Sequence, residues 1–481
     1  MLKRVISVAA CLMMLATTLT SLGSCGLGGG GSDTEVSQDV VQSSSDTDTY
    51  VPPDVNYGGQ DFNVFTWTGT DEWVMEFSKQ LTDVDRESFY HLANVENELG
   101  IKFNIAIKVD GGYYKRGDFV NKINMLSGDD KIDLVCQYSL TAAVGTQQGI
   151  YQNLLDVDYL RWDAEYWSQD LVSMNTINNK MFYCTGDLTP TVLESMFVMV
   201  FNYDLAETNQ MGNLYELVDN KQWTIEKLYE LTKGVRQDVN NDGAKDTGDN
   251  YGIVVSEYNT IDAYQYGGDL DCLVTNSLGE LEVNPQLYGE YGTSLCDKLK
   301  QLLHSNPGAY CNTKDNEINA FAMRDGKTVF QVMLASDVIS VMNKSNINYG
   351  ILPIPMYDTD QESYRTTTAM IYSMFSIPVI ARDADMSGAV LESMAHSGHV
   401  KLNPAIFEAL QNKYTRRVED KRMFDILHSG LSYDPGRILD TVDIFALVRR
   451  TVRDNTQITT YYAEGKEVFD SGLVEVNLMF S

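Results

Sequence analysis

The feature that most constrains this chain is the switching of its apolar period between Phe62 and Cys136. Phe62, Val64 and Thr66 alternate with Asn63, Phe65 and Trp67, a period of two that predicts a strand. Phe89, Leu92, Val95 and Leu99 then fall at helical spacing, and Gly100 predicts the stop. Phe103, Ile105, Ile107 and Val109 return to alternation. Phe119, Val120, Ile123 and Leu126 predict a second helix ending at Gly128, and Ile132 to Cys136 a third, mostly apolar strand. A β-α-β-α-β order packs as a mostly parallel sheet covered by helices.

The middle of the chain repeats the pattern. Phe197 to Phe201 and Tyr251 to Val255 predict buried strands, and Thr224 is placed to cap a helix carrying Ile225, Leu228, Tyr229 and Leu231. Thr328 to Leu334 and Tyr349 to Ile354 predict strands, and Met370 to Ile380 one long strand or a pair. The last hundred residues are expected to be largely helical, with starts near Ala389 and Pro404. The folded part runs from about Tyr57 to Ser481, enough chain for about two domains with their own cores.

What precedes it is of another kind. Lys3 and Arg4 lead into the mostly apolar run Val5 to Leu19, followed by Leu22-Gly23-Ser24-Cys25. This order resembles the lipobox of bacterial lipoproteins. The resemblance implies a signal peptide over 1–24 and lipidation of Cys25, hence a protein lipid-anchored at the extracellular face of the cytoplasmic membrane. Residues 25–56 are rich in Gly, Ser and Asp and predict a flexible linker, because they offer too little apolar surface to offset chain entropy. No later run of about 18 apolar residues is present to span a membrane.

The net charge of −31 repels phosphate backbones and excludes nucleic-acid binding. Beyond Cys11 and Cys25, five cysteines remain, Cys136, Cys184, Cys272, Cys296 and Cys311, with no CxxC pair. That is no disulfide framework for a chain this long; they are expected as buried thiols, with at most one bridge. Gly28 to Gly31 precedes no strand–helix unit, so it is not a phosphate loop. The five histidines have no metal-site spacing; His396 and His399 come nearest, without a third ligand.

One stretch carries explicit chemistry. Counting Asp238 as position 1, Asn240, Asp242, Asp246 and Asp249 stand at positions 3, 5, 9 and 12. Gly243 is at 6 and Ala244 at 7, where a backbone carbonyl can serve. This is the spacing of an EF-hand loop with Asp at the last position, and calcium prefers six to eight such hard oxygens. The expected ligands of a structural Ca2+ are therefore Asp238, Asn240, Asp242, Ala244, Asp246 and Asp249. The segment after the loop predicts a strand, so the site is helix–loop–strand.

That loop, followed by Asp249-Asn250-Tyr251-Gly252-Ile253, resembles the signature of extracellular solute-binding proteins of family 1, the lipoprotein receptors of carbohydrate-type ABC importers. Ser127-Gly128-Asp129 with Ile132-Asp133-Leu134, the Gly149–Leu155 segment, Lys180-Met181-Phe182-Tyr183, Phe201-Asn202-Tyr203-Asp204-Leu205 and Tyr349-Gly350-Ile351-Leu352-Pro353-Ile354-Pro355 resemble further family segments in the same order. The helices from Pro404 to Ile426 resemble those of clostridial members. The resemblance implies an α/β, two-lobed periplasmic-binding-protein-like (type II) fold with mostly parallel sheets flanked by helices. Lobe 1 would hold 57–184 plus 368–400, and lobe 2 would hold 185–367 plus 401–481. It also implies a monomer that grips a carbohydrate between its lobes and hands it to ABC permease subunits, with no covalent chemistry.

A sugar site needs flat aromatic faces and planar carboxylates or amides, and in such folds ligands meet the carboxyl ends of strands. Trp67 and Tyr138 end predicted strands. Asp187 follows the predicted crossing strand, and Asp337 and Tyr372 stand at strand ends on the return path. Trp167 is added by analogy with clostridial relatives. Ala335-Ser336-Asp337 replaces a Gly-x-Trp common in sugar binders, which speaks against a maltodextrin-like ligand. Other classes compatible with the sequence are a surface-anchored glycoside hydrolase and a non-transport glycan-binding lipoprotein. With 67 acidic residues, a catalytic carboxylate pair is always available on paper, but no pair stands out.

Overall fold

The computed structural model describes residues 50–127, 131–256, 259–311, 322–411, 417–439 and 443–481. The predicted signal peptide, Cys25 and most of the predicted linker lie outside these, as do Gly128 and Lys413-Tyr414.

The opening alternation becomes a four-stranded sheet. β1 (Gln60–Trp67) lies between β2 (Ile101–Val109) and β3 (Leu134–Tyr138), parallel to both, and β12 (Ser373–Ser376) pairs antiparallel with β3. The helix Asp83–Leu99 connects β1 to β2. Thr82 starts it with a reciprocal cap, the Asp85 amide donating to Thr82 Oγ1 at 3.1 Å and the Thr82 amide to Asp85 Oδ2 at 3.2 Å. Gly100 ends it in the left-handed region at φ 64°, where a side chain is strained.

A second sheet has the order β11-β4-β10-β6-β5, with β9 also on β6. Its strands are β4 (Phe197–Asn202), β5 (Arg236–Gln237), β6 (Asn250–Val255), β9 (Ala309–Cys311), β10 (Thr328–Leu334) and β11 (Tyr349–Leu352); β7 (Leu273–Thr275) and β8 (Leu281–Val283) form a separate hairpin. This sheet is mixed rather than mostly parallel. β6, β9 and β10 run in one direction, whereas β4 runs against β10 and β11. The physical reason is entry: β4 begins where the chain arrives from the first sheet and runs away from that crossing.

The two sheets define the two lobes, and paired backbone joins them. Cys184 exchanges hydrogen bonds with Phe375, at 2.9 and 2.8 Å, and Met196 bridges Thr368. Thr366 in turn pairs with the Gly430–Ser432 stretch. So the predicted long strand over Met370–Ile380 is regular only from Ser373 to Ser376.

The expected helix starts at Ala389 and Pro404 belong to one helix, Ala384–Leu410. Proline interrupts a helix locally because it lacks an N–H. Here both ends are anchored. Ser387 Oγ donates to the Asp133 carbonyl beside the first sheet at 2.8 Å, and Tyr349 of β11 donates to the Leu410 carbonyl at 3.1 Å. Tertiary anchoring outweighs the local break. All five cysteines beyond Cys25 are free; four are buried, and burial pushes the Cys296 thiol up to about 12.

Candidate functional site

Parallel pairing sets the ends of β1, β2 and β3 side by side, and the antiparallel β12 starts at the same edge, Ser373 facing Tyr138. Trp67, Tyr138 and Tyr372 are thus brought to one place. The Trp67 and Tyr138 rings lie 5.3 Å apart at 54°. Trp67 Nε1 donates to Ser373 Oγ at 2.9 Å, and that hydroxyl donates to Glu72 Oε1 at 2.6 Å. Cys136 Sγ also donates to Glu72, so a buried carboxylate is held by neutral donors. The turn after β1 lies flat on the indole. A Cβ at Gly69 would fall 1.8 Å from a Trp67 ring carbon, so only glycine closes this turn.

A second buried cluster carries charge that the sequence pattern does not single out. Asp434 caps the short helix Pro435–Ile438, which carries Arg437. Arg437 is buried. Its Nη1 donates to Asp262 Oδ2 at 3.0 Å and its Nη2 to the Thr368 carbonyl at 2.8 Å. The guanidinium lies 5.3 Å from the Tyr266 ring centroid and 5.7 Å from that of Phe445. Arg449 reaches the same Asp262 oxygen at 3.0 Å. Burial raises the Tyr372 phenol, and the Arg437 charge acts against that rise. Trp67, Tyr138, Tyr372, Arg437 and Asp262 are all buried in this structure.

Three expected site residues lie elsewhere. Trp167 is interior packing: its Nε1 donates to Glu392 Oε2 at 2.9 Å and its ring lies 4.6 Å from Trp162. Asp187 is occupied by side chains of the helices Ala384–Leu410 and Val418–Ser429. Its Oδ2 accepts from Asn403 Nδ2 at 2.8 Å and pairs with His399 Nδ1 at 2.9 Å, while Oδ1 pairs with His428 Nε2 at 3.1 Å. Asp337 sits exposed in the first turn after β10.

The Asp238–Asp249 loop is closed by its own side chains. The Gly243 amide donates to Asp238 Oδ2 at 2.8 Å, the Ala244 amide to Asp242 Oδ1 at 2.7 Å and the Asp242 amide to Asn240 Oδ1 at 3.2 Å. Gly243 takes φ 77°, as position 6 requires. Asp238 Oδ1 is buried without a hydrogen-bond partner. Asn240 lies within 2.9 Å of Asp242 and 3.5 Å of Asp246. Asp238, Asn240, Asp242 and Asp246 thus stand together in the loop, bonded to its own amides. Ala244 and Asp249 are engaged instead by Arg236, whose Nη2 donates to the Ala244 carbonyl and, at 2.7 Å, to Asp249 Oδ2. Among the described residues no three His, Cys, Asp or Glu side chains converge closely enough to hold a metal ion. Calcium here requires the loop to draw in.

No protein-family model matches the chain, and no curated protein does. Solved structures do. The galacto-N-biose-/lacto-N-biose I-binding protein of the ABC transporter from Bifidobacterium longum is 11% identical, covers 87% of this chain and 98% of its own, and gives a TM-score of 0.55. The GacH receptor of Streptomyces glaucescens, solved unliganded and with acarbose, is 15% identical over 86% and 98%, with a TM-score of 0.52. UgpB from Mycobacterium tuberculosis, in complex with glycerophosphocholine, is 12% identical over 86% and 98%, also at 0.52. At such identities the likeness shows the two-lobed solute-binding fold.

Proposed function

We propose that the chain is a membrane-anchored extracellular substrate-binding protein that captures a sugar or oligosaccharide between its lobes and delivers it to an ABC permease. The observation that carries this reading is the gathering of Trp67, Tyr138 and Tyr372 where the ends of β1 and β3 meet the start of β12. The fold shared with receptors crystallised with lacto-N-biose and acarbose supports it. The lipid on Cys25 would keep the receptor beside its permease. The open form captures solute, the lobes close about the paired hinge segments, and the closed form docks.

Thermal shift against a panel of mono- and oligosaccharides tests the reading. A ligand at about 100 times its dissociation constant adds about 2.7 kcal/mol of stability. Small-angle scattering with the same sugar is expected to show compaction. A panel without a hit, or a hit that leaves the scattering unchanged, overturns the reading.

In the same proposal the loop at Asp238–Asp249 holds a structural calcium through Asp238, Asn240, Asp242 and Asp246, with Asp249 and the Ala244 carbonyl completing the shell. Calorimetric titration of EDTA-treated protein is expected to give calcium heat that Asp242→Ala abolishes. Wild type without calcium heat would remove the metal and leave a hydrogen-bonded turn.

A further inference from the structure

We propose that the loop 68–81, between β1 and the helix Asp83–Leu99, is a lid over the Trp67 indole, and that Glu72 is the pin that holds it shut. This rests on the sugar-receptor reading and adds how its site opens. The loop far exceeds the usual connection of about 4–6 residues, and such lengths in compact domains commonly serve as lids or binding loops.

Its attachments are side chains. Among the described residues its backbone hydrogen bonds stay within the loop, from the Val74 amide to the Glu72 carbonyl at 3.1 Å and from the Leu81 amide to the Ser78 carbonyl at 3.3 Å. Toward the sheet, Trp73 Nε1 donates to Thr66 Oγ1 at 3.2 Å, and Asp71 meets Lys108 in an exposed ion pair at 3.4 Å. Farther out, Phe77 is 49% exposed and rests on Phe89 and Tyr90 of the helix, with ring centroids 5.6 and 6.1 Å away. Residues 76–80 are exposed throughout. A segment held this way lifts without breaking strand pairing and sits at the low end of local stability.

The loop covers the candidate ligand face. Trp67 is 3% exposed, and the Gly69 backbone lies against its ring, since a Cβ there would fall 1.8 Å from a ring carbon. A sugar ring reaches that face of the indole only when the loop moves. Glu72 suits a fastening that opens. It is 5% exposed; its Oε1 accepts from Ser373 Oγ at 2.6 Å and from Cys136 Sγ at 3.0 Å, and its Oε2 accepts from Thr70. Hydrogen bonds to a charged acceptor are strong, but closing strips water from the carboxylate and opening returns it. The two effects oppose each other, so the loop is held without being locked. Trp67 Nε1 donates to the same Ser373 hydroxyl at 2.9 Å, so one carboxylate sets both the loop and the indole.

Cys136 reports the position of the loop. Its thiol is buried against Glu72. Burial, and then the Glu72 charge, push it well above its ordinary value, so it is unreactive while the loop is down. Cys184 is equally buried beside the same sheet, where its backbone pairs with Phe375. The test alkylates the full native chain with N-ethylmaleimide, without sugar, and follows each cysteine by peptide mapping. Cys136 is expected to react at least about tenfold faster than Cys184, because the loop opens more often than the lobe unfolds. Glu72→Ala should speed Cys136 by about tenfold or more, through the lost bonds to a charged acceptor, and leave Cys184 unchanged. Glu72→Gln, which keeps an acceptor, should restore most of the protection. Phe77→Ala lies at the surface, puts no buried group at risk, and should speed Cys136 alone. Equal rates for the two cysteines in wild type, or a Glu72→Ala that speeds both alike, overturn the lid. Association of sugars from the thermal-shift panel, followed by tryptophan fluorescence, should quicken in Glu72→Ala, and an unchanged rate overturns the gating. Labelling as expected with no sugar hit keeps the lid and overturns the receptor reading.

Discussion

Replacing Asp262 by alanine is expected to lower the unfolding free energy by about 3–5 kcal/mol, the cost of leaving a buried charge without its partner. Asp262 is 1% exposed, and its Oδ2 accepts from Arg437 and Arg449 at 3.0 Å each. Removing it takes the charged partner from the Arg437 guanidinium, which lies beside Tyr266 and Phe445. The Thr368 carbonyl still takes one Arg437 proton but carries no full charge. Replacing all three charged groups together, Asp262→Leu with Arg437→Met and Arg449→Met, should cost less than Asp262→Ala alone, because Asp262 and the two charges on it are then removed together. Urea unfolding followed by tryptophan fluorescence measures both. A loss below about 1 kcal/mol for Asp262→Ala would mean that water reaches the guanidinium groups and that the lobe boundary is wet.

Asp187→Asn is expected to cost about 1.5–3 kcal/mol near pH 6, the range for hydrogen bonds to a charged group, and to flatten the pH profile of stability. Burial pushes the Asp187 carboxyl up, but His428 and His399 outweigh it and hold it well below the usual carboxylate range. Burial pushes His428 down, and Asp187 outweighs that, holding it above its ordinary value with help from Asp425 and against Lys421. The two shifts set a window. Stability from His428 is complete below its unfolded value, about 6.5, and fades as pH rises through the raised folded value. Stability from Asp187 is complete above about 3.9 and fades as pH falls through its depressed folded value. The pair is therefore strongest from about pH 4 to 6.5, and wild type should lose stability on the alkaline side of that window while Asp187→Asn does not. His91 stays outside this balance. It is buried, held down to about 4 by burial, and its Nε2–H meets the Leu188 carbonyl at 3.0 Å. Equal slopes for wild type and variant above pH 6.5 would show that His428 does not titrate against Asp187.

How far the sequence could be read depends on how local each signal is. Alternation and glycine stops located β1, β2, β6, β10 and the helix before Gly100 because those signals lie within one element. Pro404 misled because its local meaning, a break, was outweighed by anchors at Asp133 and Tyr349, far away in sequence. The site divides the same way. Trp67, Tyr138 and Tyr372 could be named because strand ends mark positions. Arg437 and Asp262 stand 175 residues apart, and only the path of the chain through Leu431–Leu439 between the lobes brings them together. Trp167 reads as a ligand aromatic until Glu392, 225 residues on, supplies its hydrogen bond.

The proline in the long helix has a mechanical consequence. Pro404 cannot donate to the Val400 carbonyl, so the ladder of Ala384–Leu410 has its point of highest compliance within that turn. Asn403 and His399, which grip Asp187, belong to the same turn. Bending there changes the angle between the two anchored halves and strains the grip on Asp187 in one motion. The protein thus puts its elastic element and its catch at a single place, and the stiffness of the joint is set by one carboxylate.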